Sequence, residues 1–208
     1  METLRISPKY TAKDWGKLDR NKPADWPKAV RIVRDRLHGR FLHFADKCLT
    51  DDYSGFVVLA IDCLLAEALQ QFIDGVTNGT GRSKELSKKF LEGPRFQPYF
   101  DTDDIRLAFY LDIRCGLLHQ AEAKNKWPIR RRQKALLKNV GADGYIIDVE
   151  RFHAAMKSSL SDYFALLCKP ESTNPRDKLW TKMDHICNVR IARGALYGTD
   201  SSVADPSA

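Results

Sequence analysis

The sequence lacks most of the short signatures that announce an activity. It contains no GxGxxG, no GxxxxGKS or GxxxxGKT, no HExxH and no internal repeat. An ordinary nucleotide-binding loop or a zincin-type metal site therefore finds no support. It has no CxxC pair either. Its five cysteines (Cys48, Cys63, Cys115, Cys168 and Cys187) are odd in number, and several sit within apolar helical patterns. That usage fits reduced, buried thiols rather than a disulfide framework. His185 and Cys187 have no companion ligands at zinc-site spacing, so no metal is expected. No apolar run reaches the roughly 18 residues of a membrane span. The opening METLRISPKYTAKDW has no apolar core of signal-peptide length. These gaps together predict a cytoplasmic protein with no membrane contact and no cofactor.

What is present is a core and a surplus of positive charge. Hydrophobic residues make up 43% of the 208, enough to exclude a disordered chain. The net charge is +7, which favours a polyanionic partner as well as solubility. The length fits one domain with appendages. The expected division is an arm over 1–26, a helical domain over 27–168, a helical extension over 169–197 and a disordered tail over 198–208.

The apolar periodicity predicts a mainly α, all-α class of fold with four to six helices. Pro27 in a first turn after Asp25 starts a helix running to about Leu49. Val30, Val33, Leu37, Phe41, Phe44 and Cys48 make one stripe along it. A second helix covers about 54–75, with Val58, Ile61, Leu65, Ala68, Leu69 and Phe72 on its apolar face. Cys63, Glu67, Gln70 and Asp74 form a narrower polar stripe. Ser83 is a candidate cap for a short helix to about Leu91. An irregular connection carrying Phe96, Tyr99 and Phe100 should pack onto the body. A third long helix starts near Thr102 or Asp103 and ends near His119. Residues 135–148 read as a small β-hairpin or two short extended pieces. Asp148 then caps a helix to Cys168, whose face is Phe152, Met156, Leu160, Tyr163, Phe164 and Leu167. A last helix covers about 176–193. Trp15 and Trp26 are the residues available to dock the arm.

Within the third helix, Leu111-Asp112-Ile113-Arg114-Cys115-Gly116-Leu117-Leu118-His119-Gln120 is mostly apolar yet carries an arginine and a histidine. Arg114 lies in an apolar stripe. A buried, unpaired charge costs several kcal/mol or more, so a carboxylate partner is expected, and Glu67 is the candidate. On an ideal helix Arg114 and His119 point roughly 140° apart. Gly116 between them would permit a bend, and two copies of the helix crossing in a dimer would bring both pairs into one cleft. Imidazole there offers an acid or base, and guanidinium a phosphate clamp. Asp112 and Cys115 share the mixed face with His119. The basic connection supplies Arg130, Arg131, Arg132 and Lys134 as candidate RNA contacts or as a solvated run. The plain alternative makes Arg114 a structural residue paired to Glu67 in a helical adaptor.

Arg114-Cys115-Gly116-Leu117-Leu118-His119 resembles the R-x4-H motif of the HEPN superfamily. The helix order over about 27–168 is also similar: two long helices, an interrupted connection, a motif helix and a further packing helix. The resemblance implies an HEPN-like helical bundle, usually a homodimer. Active members are metal-independent endoribonucleases, many of them in toxin–antitoxin and antiviral defence systems. It implies that Arg114 contacts the scissile phosphate and His119 transfers protons. Glu67 corresponds loosely to an acidic residue on an earlier helix. Active members commonly have a polar residue, often asparagine, after the arginine; here it is Cys115. The tyrosine that HEPN toxins paired with nucleotidyltransferase antitoxins often carry two places after the histidine is Ala121 here. The resulting expectation is an RNA-cleaving homodimer, with an antitoxin or defence protein as a further partner. The alternative is a non-catalytic HEPN module that binds RNA, a nucleotide or a partner protein.

Overall fold

The structure, a computed structural model, describes residues 4–125 and 127–197; the expected tail lies outside the described residues. It is mainly helical, with 63% of residues in helices and a small three-stranded sheet. The helices are α1 Ala12–Gly16, α2 Trp26–Leu37, α3 His43–Cys48, α4 Gly55–Asp74, α5 Ser83–Leu91, α6 Asp103–Ala108, α7 Cys115–Gln120, α8 Val149–Cys168 and α9 Thr173–Tyr197. Two π-helical stretches, His38–Leu42 and Phe109–Arg114, join α2 to α3 and α6 to α7 without a break. The described chain thus has seven continuous helical rods, more than the four to six expected.

The first π stretch explains one departure from the sequence pattern. A strict three–four stripe would carry Phe41, Phe44 and Cys48 inward with Val30, Val33 and Leu37. A π-helical turn takes up an extra residue and rotates the helix beyond it. Leu42 and Ala45 are buried instead, and Phe44 is left 51% exposed.

α4 is the central helix, packed against α3, α5, α8 and α9. It buries Val58, Leu59, Leu65, Leu69 and Phe72, and also Asp62, Cys63 and Gln70. The polar stripe therefore faces the interior in part, where its members find partners. As a helix α4 is long and apolar enough to cross a membrane, although acidic residues interrupt its run in the sequence. Half of that stretch is buried inside the protein, and Asp62 and Glu67 are both ion-paired.

The ends of the helices follow from local chemistry. Asp148 accepts the Arg151 N–H at 2.8 Å and caps α8 as expected. Asp25 does not cap α2; its carboxylate accepts the Asp19 N–H instead. Ser83 does not cap α5 either, because its hydroxyl is directed at Glu67. The arm holds α1, closed by a reciprocal Thr11–Asp14 capping box. Trp15 and Trp26 dock it against Trp180, with ring centroids 4.7 and 5.2 Å away. One hydrophobic core runs from Trp15 through Phe152 to Leu179, so arm, central helices and C-terminal helix share it.

The expected hairpin is present and larger than expected. β2 (Leu137–Asn139) pairs antiparallel with β3 (Tyr145–Asp148) across a 3₁₀ turn. β1 (Ile129–Arg130) adds a parallel strand on the other edge, giving the order β1-β3-β2. Phe96 and Phe100 pack inward against Phe152, as the aromatic-rich connection suggested. Phe109 of the motif rod stacks on Phe152 at 5.4 Å, which fixes that rod to the core.

Candidate functional site

The rod α6–α7 carries Arg114 and His119. Thr102 caps its start by accepting the Ile105 N–H. The second π stretch ends at Arg114, and ordinary α-helix continues to Gln120. The spacing from Arg114 to His119 is therefore helical, and within one chain the two side chains diverge as expected. Arg114 is half-buried and His119 is exposed.

The loosened turn precedes Arg114, so Gly116 does not bend the helix. It serves a close approach instead. The chain reverses at Ala121, which has a left-handed φ of 54°, and runs back along α7. The Lys124 N–H then donates to the Asp112 carbonyl at 2.8 Å. A Cβ on Gly116 would strike the Glu122 carbonyl oxygen and crowd the Lys124 backbone. Gly116→Ala is expected to destabilise the protein by about 1–3 kcal/mol, the range for overpacking. Urea unfolding would measure it.

Arg114 has the partner that its burial requires. Its Nε donates to Glu67 Oε1 at 2.6 Å and its Nη2 to Oε2 at 3.2 Å, a bidentate pair across α4 and the motif rod. Ser83 Oγ donates to the same carboxylate at 2.9 Å. The Tyr110 ring lies 5.6 Å from the guanidinium carbon, and Cys115 is beside it. Burial pulls the Arg114 pKa down, but Glu67 outweighs it and holds the group above its usual value. Burial likewise raises Tyr110, and raises the Cys63 thiol well above its ordinary range, with Asp62 and Glu67 adding to the effect on Cys63. The pair leaves the Nη1 edge of Arg114 outside the Glu67 contact. Asp112 accepts from Asn125 Nδ2 at 2.7 Å.

The four basic candidates separate. Arg130, Arg132 and Lys134 are exposed. Arg131 is not a free cation: its guanidinium donates to the carbonyls of Leu49 and Asp51 and to Glu150 Oε1, at 2.7, 2.7 and 2.8 Å. It fastens the sheet to the α3–α4 turn, which removes it from a candidate RNA surface.

A second polar cluster escaped the sequence reading. His153 of α8 is buried between two carboxylates. Its Nδ1 is 2.9 Å from Asp62 Oδ1 and its Nε2 is 3.2 Å from Asp46 Oδ1. Lys157 Nζ adds a bond to Asp46 at 2.7 Å. The one available signal was Asp62 itself, an acid within the apolar first half of α4. Among the described residues no group of His, Cys, Asp or Glu could hold a metal ion. Compared with protein-family models, curated proteins and solved structures, the chain has no match.

Proposed function

We propose that this chain is an HEPN-like, metal-independent endoribonuclease acting as a homodimer, with Arg114 and His119 in the cleft between protomers. The observation that carries the reading is that Arg114, although paired with Glu67, keeps its Nη1 edge outside that pair. A neighbouring helix holds the motif arginine in place while its Nη1 edge stays outside the pair, and His119 remains exposed at the end of the same rod. Guanidinium fixed in this way suits an anionic phosphate.

One protomer points the two groups apart, so a two-fold partner is part of the proposal. The exposed side of α4 and the motif rod supports it. Val57, Leu64 and Leu111 are large apolar residues on these two elements, 52%, 42% and 47% exposed in that order. Helical spacing puts Val57, Ile61, Leu64 and Ala68 along one side of α4. Covering that side in a symmetric dimer would bury apolar surface and bring two copies of the motif together.

In such a cleft the RNA 2′-oxygen attacks the adjacent phosphorus and the bond to the 5′-oxygen breaks. One His119 takes the 2′-OH proton and the other gives a proton to the leaving 5′-oxygen. Arg114 stabilises the charge on the phosphoryl oxygens. The products are a 2′,3′-cyclic phosphate and a 5′-hydroxyl. A role in a toxin–antitoxin or antiviral defence system, with a protein partner, is implied by the resemblance alone. The test is incubation of single-stranded RNA with purified protein in EDTA. Cleavage to cyclic-phosphate ends is expected; intact RNA would overturn the proposal.

Cys115 favours a second reading. It places a thiol, half-buried beside Arg114, where active family members commonly carry a polar side chain. A non-catalytic module would bind RNA, a nucleotide or a partner protein through the same surface. Salt-dependent RNA binding without cleavage would select that reading.

A further inference from the structure

The chain that doubles back after the motif helix encloses one wall of a cleft of ≈ 460 Å³. Its lining includes Phe56, Glu122, Asn125, Trp127, Ile129 and Arg130. That volume is within the range of small-molecule sites, about 300–1,000 Å³. The cleft is tied to the motif helix through Asn125, whose amide nitrogen donates to Asp112 Oδ1 at 2.7 Å. Asp112 lies two residues before Arg114, within the π-helical stretch of the motif rod. The cleft therefore adjoins the motif rod just before Arg114.

Its chemistry suits a flat, neutral heterocycle better than a phosphate. Among the described lining residues, Arg130 and Glu122 bring one charge of each sign. Phe56 is 38% exposed and offers an aromatic surface. Asn125 has a left-handed φ of 51°, a conformation that few residues other than glycine adopt readily. With its Nδ2 bonded to Asp112, the amide offers its oxygen as acceptor.

We propose that this cleft is a nucleobase subsite for the RNA beside the scissile phosphate, with Phe56 as stacking surface and Asn125 Oδ1 as acceptor for an exocyclic amine. The inference rests on the ribonuclease reading and adds a preference to it: adenine or cytosine over uracil. Uracil presents a carbonyl oxygen where the other two present an amino group, and two acceptors facing one another cannot bond.

The test uses the full chain carrying His119→Ala, so that RNA is not consumed. Binding of labelled oligo(A), oligo(C) and oligo(U) is followed by fluorescence anisotropy. Oligo(A) and oligo(C) are expected to bind about tenfold tighter than oligo(U). Phe56→Ala is expected to weaken all three about tenfold. Asn125→Gly keeps the positive φ and removes the amide; the three oligomers are then expected to bind alike. Thermal melts confirm that both variants fold. If the unmodified chain cleaves RNA but the oligomers bind equally, or Asn125→Gly leaves their preference unchanged, the subsite is overturned and the ribonuclease stands. If RNA is neither cut nor bound, titration with AMP and CMP decides the cleft. Mononucleotide binding lost in Asn125→Gly retains the base site without the ribonuclease, and no binding removes both.

Discussion

His153→Ala should lower the unfolding free energy by about 3–5 kcal/mol, the usual cost of breaking a buried ion pair from one side. His153 and Asp62 are both buried, with side chains only 1% and 0% exposed, and they belong to two different helices, α8 and α4. Removing the imidazole leaves the buried Asp62 carboxylate without its counter-charge. Asp46 loses less, because Lys157 still binds it. Urea unfolding would give the cost. The double change Asp62→Leu with His153→Leu should recover much of the loss, since replacing both members of a buried pair with apolar groups is often neutral. A single-variant loss below about 1 kcal/mol would show that Asp62 is satisfied without His153.

The same cluster predicts how stability varies with pH. Burial pulls the His153 pKa down from 6.5, but Asp62 and Asp46 outweigh burial and raise it. A base whose pKa is raised on folding stabilises the protein fully below its unfolded value. That contribution is lost as pH climbs through the raised folded value. Stability from this group should therefore decline as pH rises from about 6.5 upward. Asp46 works in the opposite direction. Burial raises its pKa, but Lys157 and His153 outweigh that and hold it below 3.8. Its contribution is present above that value and fades as pH falls through the folded one. Burial pushes the Asp62 carboxyl above 3.8 despite His153, so Asp62 costs stability as pH rises through its folded value and tilts the range between the two limits. Urea midpoints across pH for the unmodified chain and His153→Ala should differ by the alkaline decline that belongs to His153.

How much of this was legible in the sequence depended on distance along the chain. α8 keeps ordinary helical phase, and its expected face of Phe152, Met156, Leu160, Tyr163, Phe164 and Leu167 is buried throughout. The bounds of α5 and the Asp148 cap were also readable, because each rests on neighbours a few residues away. The π stretches were not, since a 3.6-residue period cannot anticipate an added residue. β1 has two residues and owes its state to β3, so it had no local pattern to show. Glu67 could be matched to Arg114 because an inward arginine demands a carboxylate and few were available. The bond between Asp62 and His153 spans 91 positions, and neither residue breaks its helix pattern enough to name the other. Arg131 misled for a related reason. Its place in a basic run suggested an exposed cation, whereas its donors satisfy carbonyls of a turn some 80 residues earlier.

If the proposed chemistry is right, His119→Ala should reduce RNA cleavage by about 10²–10⁴-fold, the usual contribution of a positioned acid or base. His119 is exposed at the end of α7, so its removal should leave the fold almost unchanged. Arg114 is harder to test, because alanine there would strand Glu67 in a half-buried site. Arg114→Lys keeps a positive charge near Glu67 but loses the planar fork that spans both carboxylate oxygens. Cleavage by that variant should fall about 10²–10³-fold, the scale seen when one donor to a developing negative charge is lost. Binding of uncleavable RNA should weaken much less than cleavage. The two effects must differ in this way if Arg114 stabilises the reacting phosphoryl group. A merely structural Arg114 would lower stability and leave cleavage per folded molecule intact. Thermal melts, single-turnover cleavage and binding on the same three proteins separate those outcomes. Cleavage retained in both variants would remove Arg114 and His119 from the reaction.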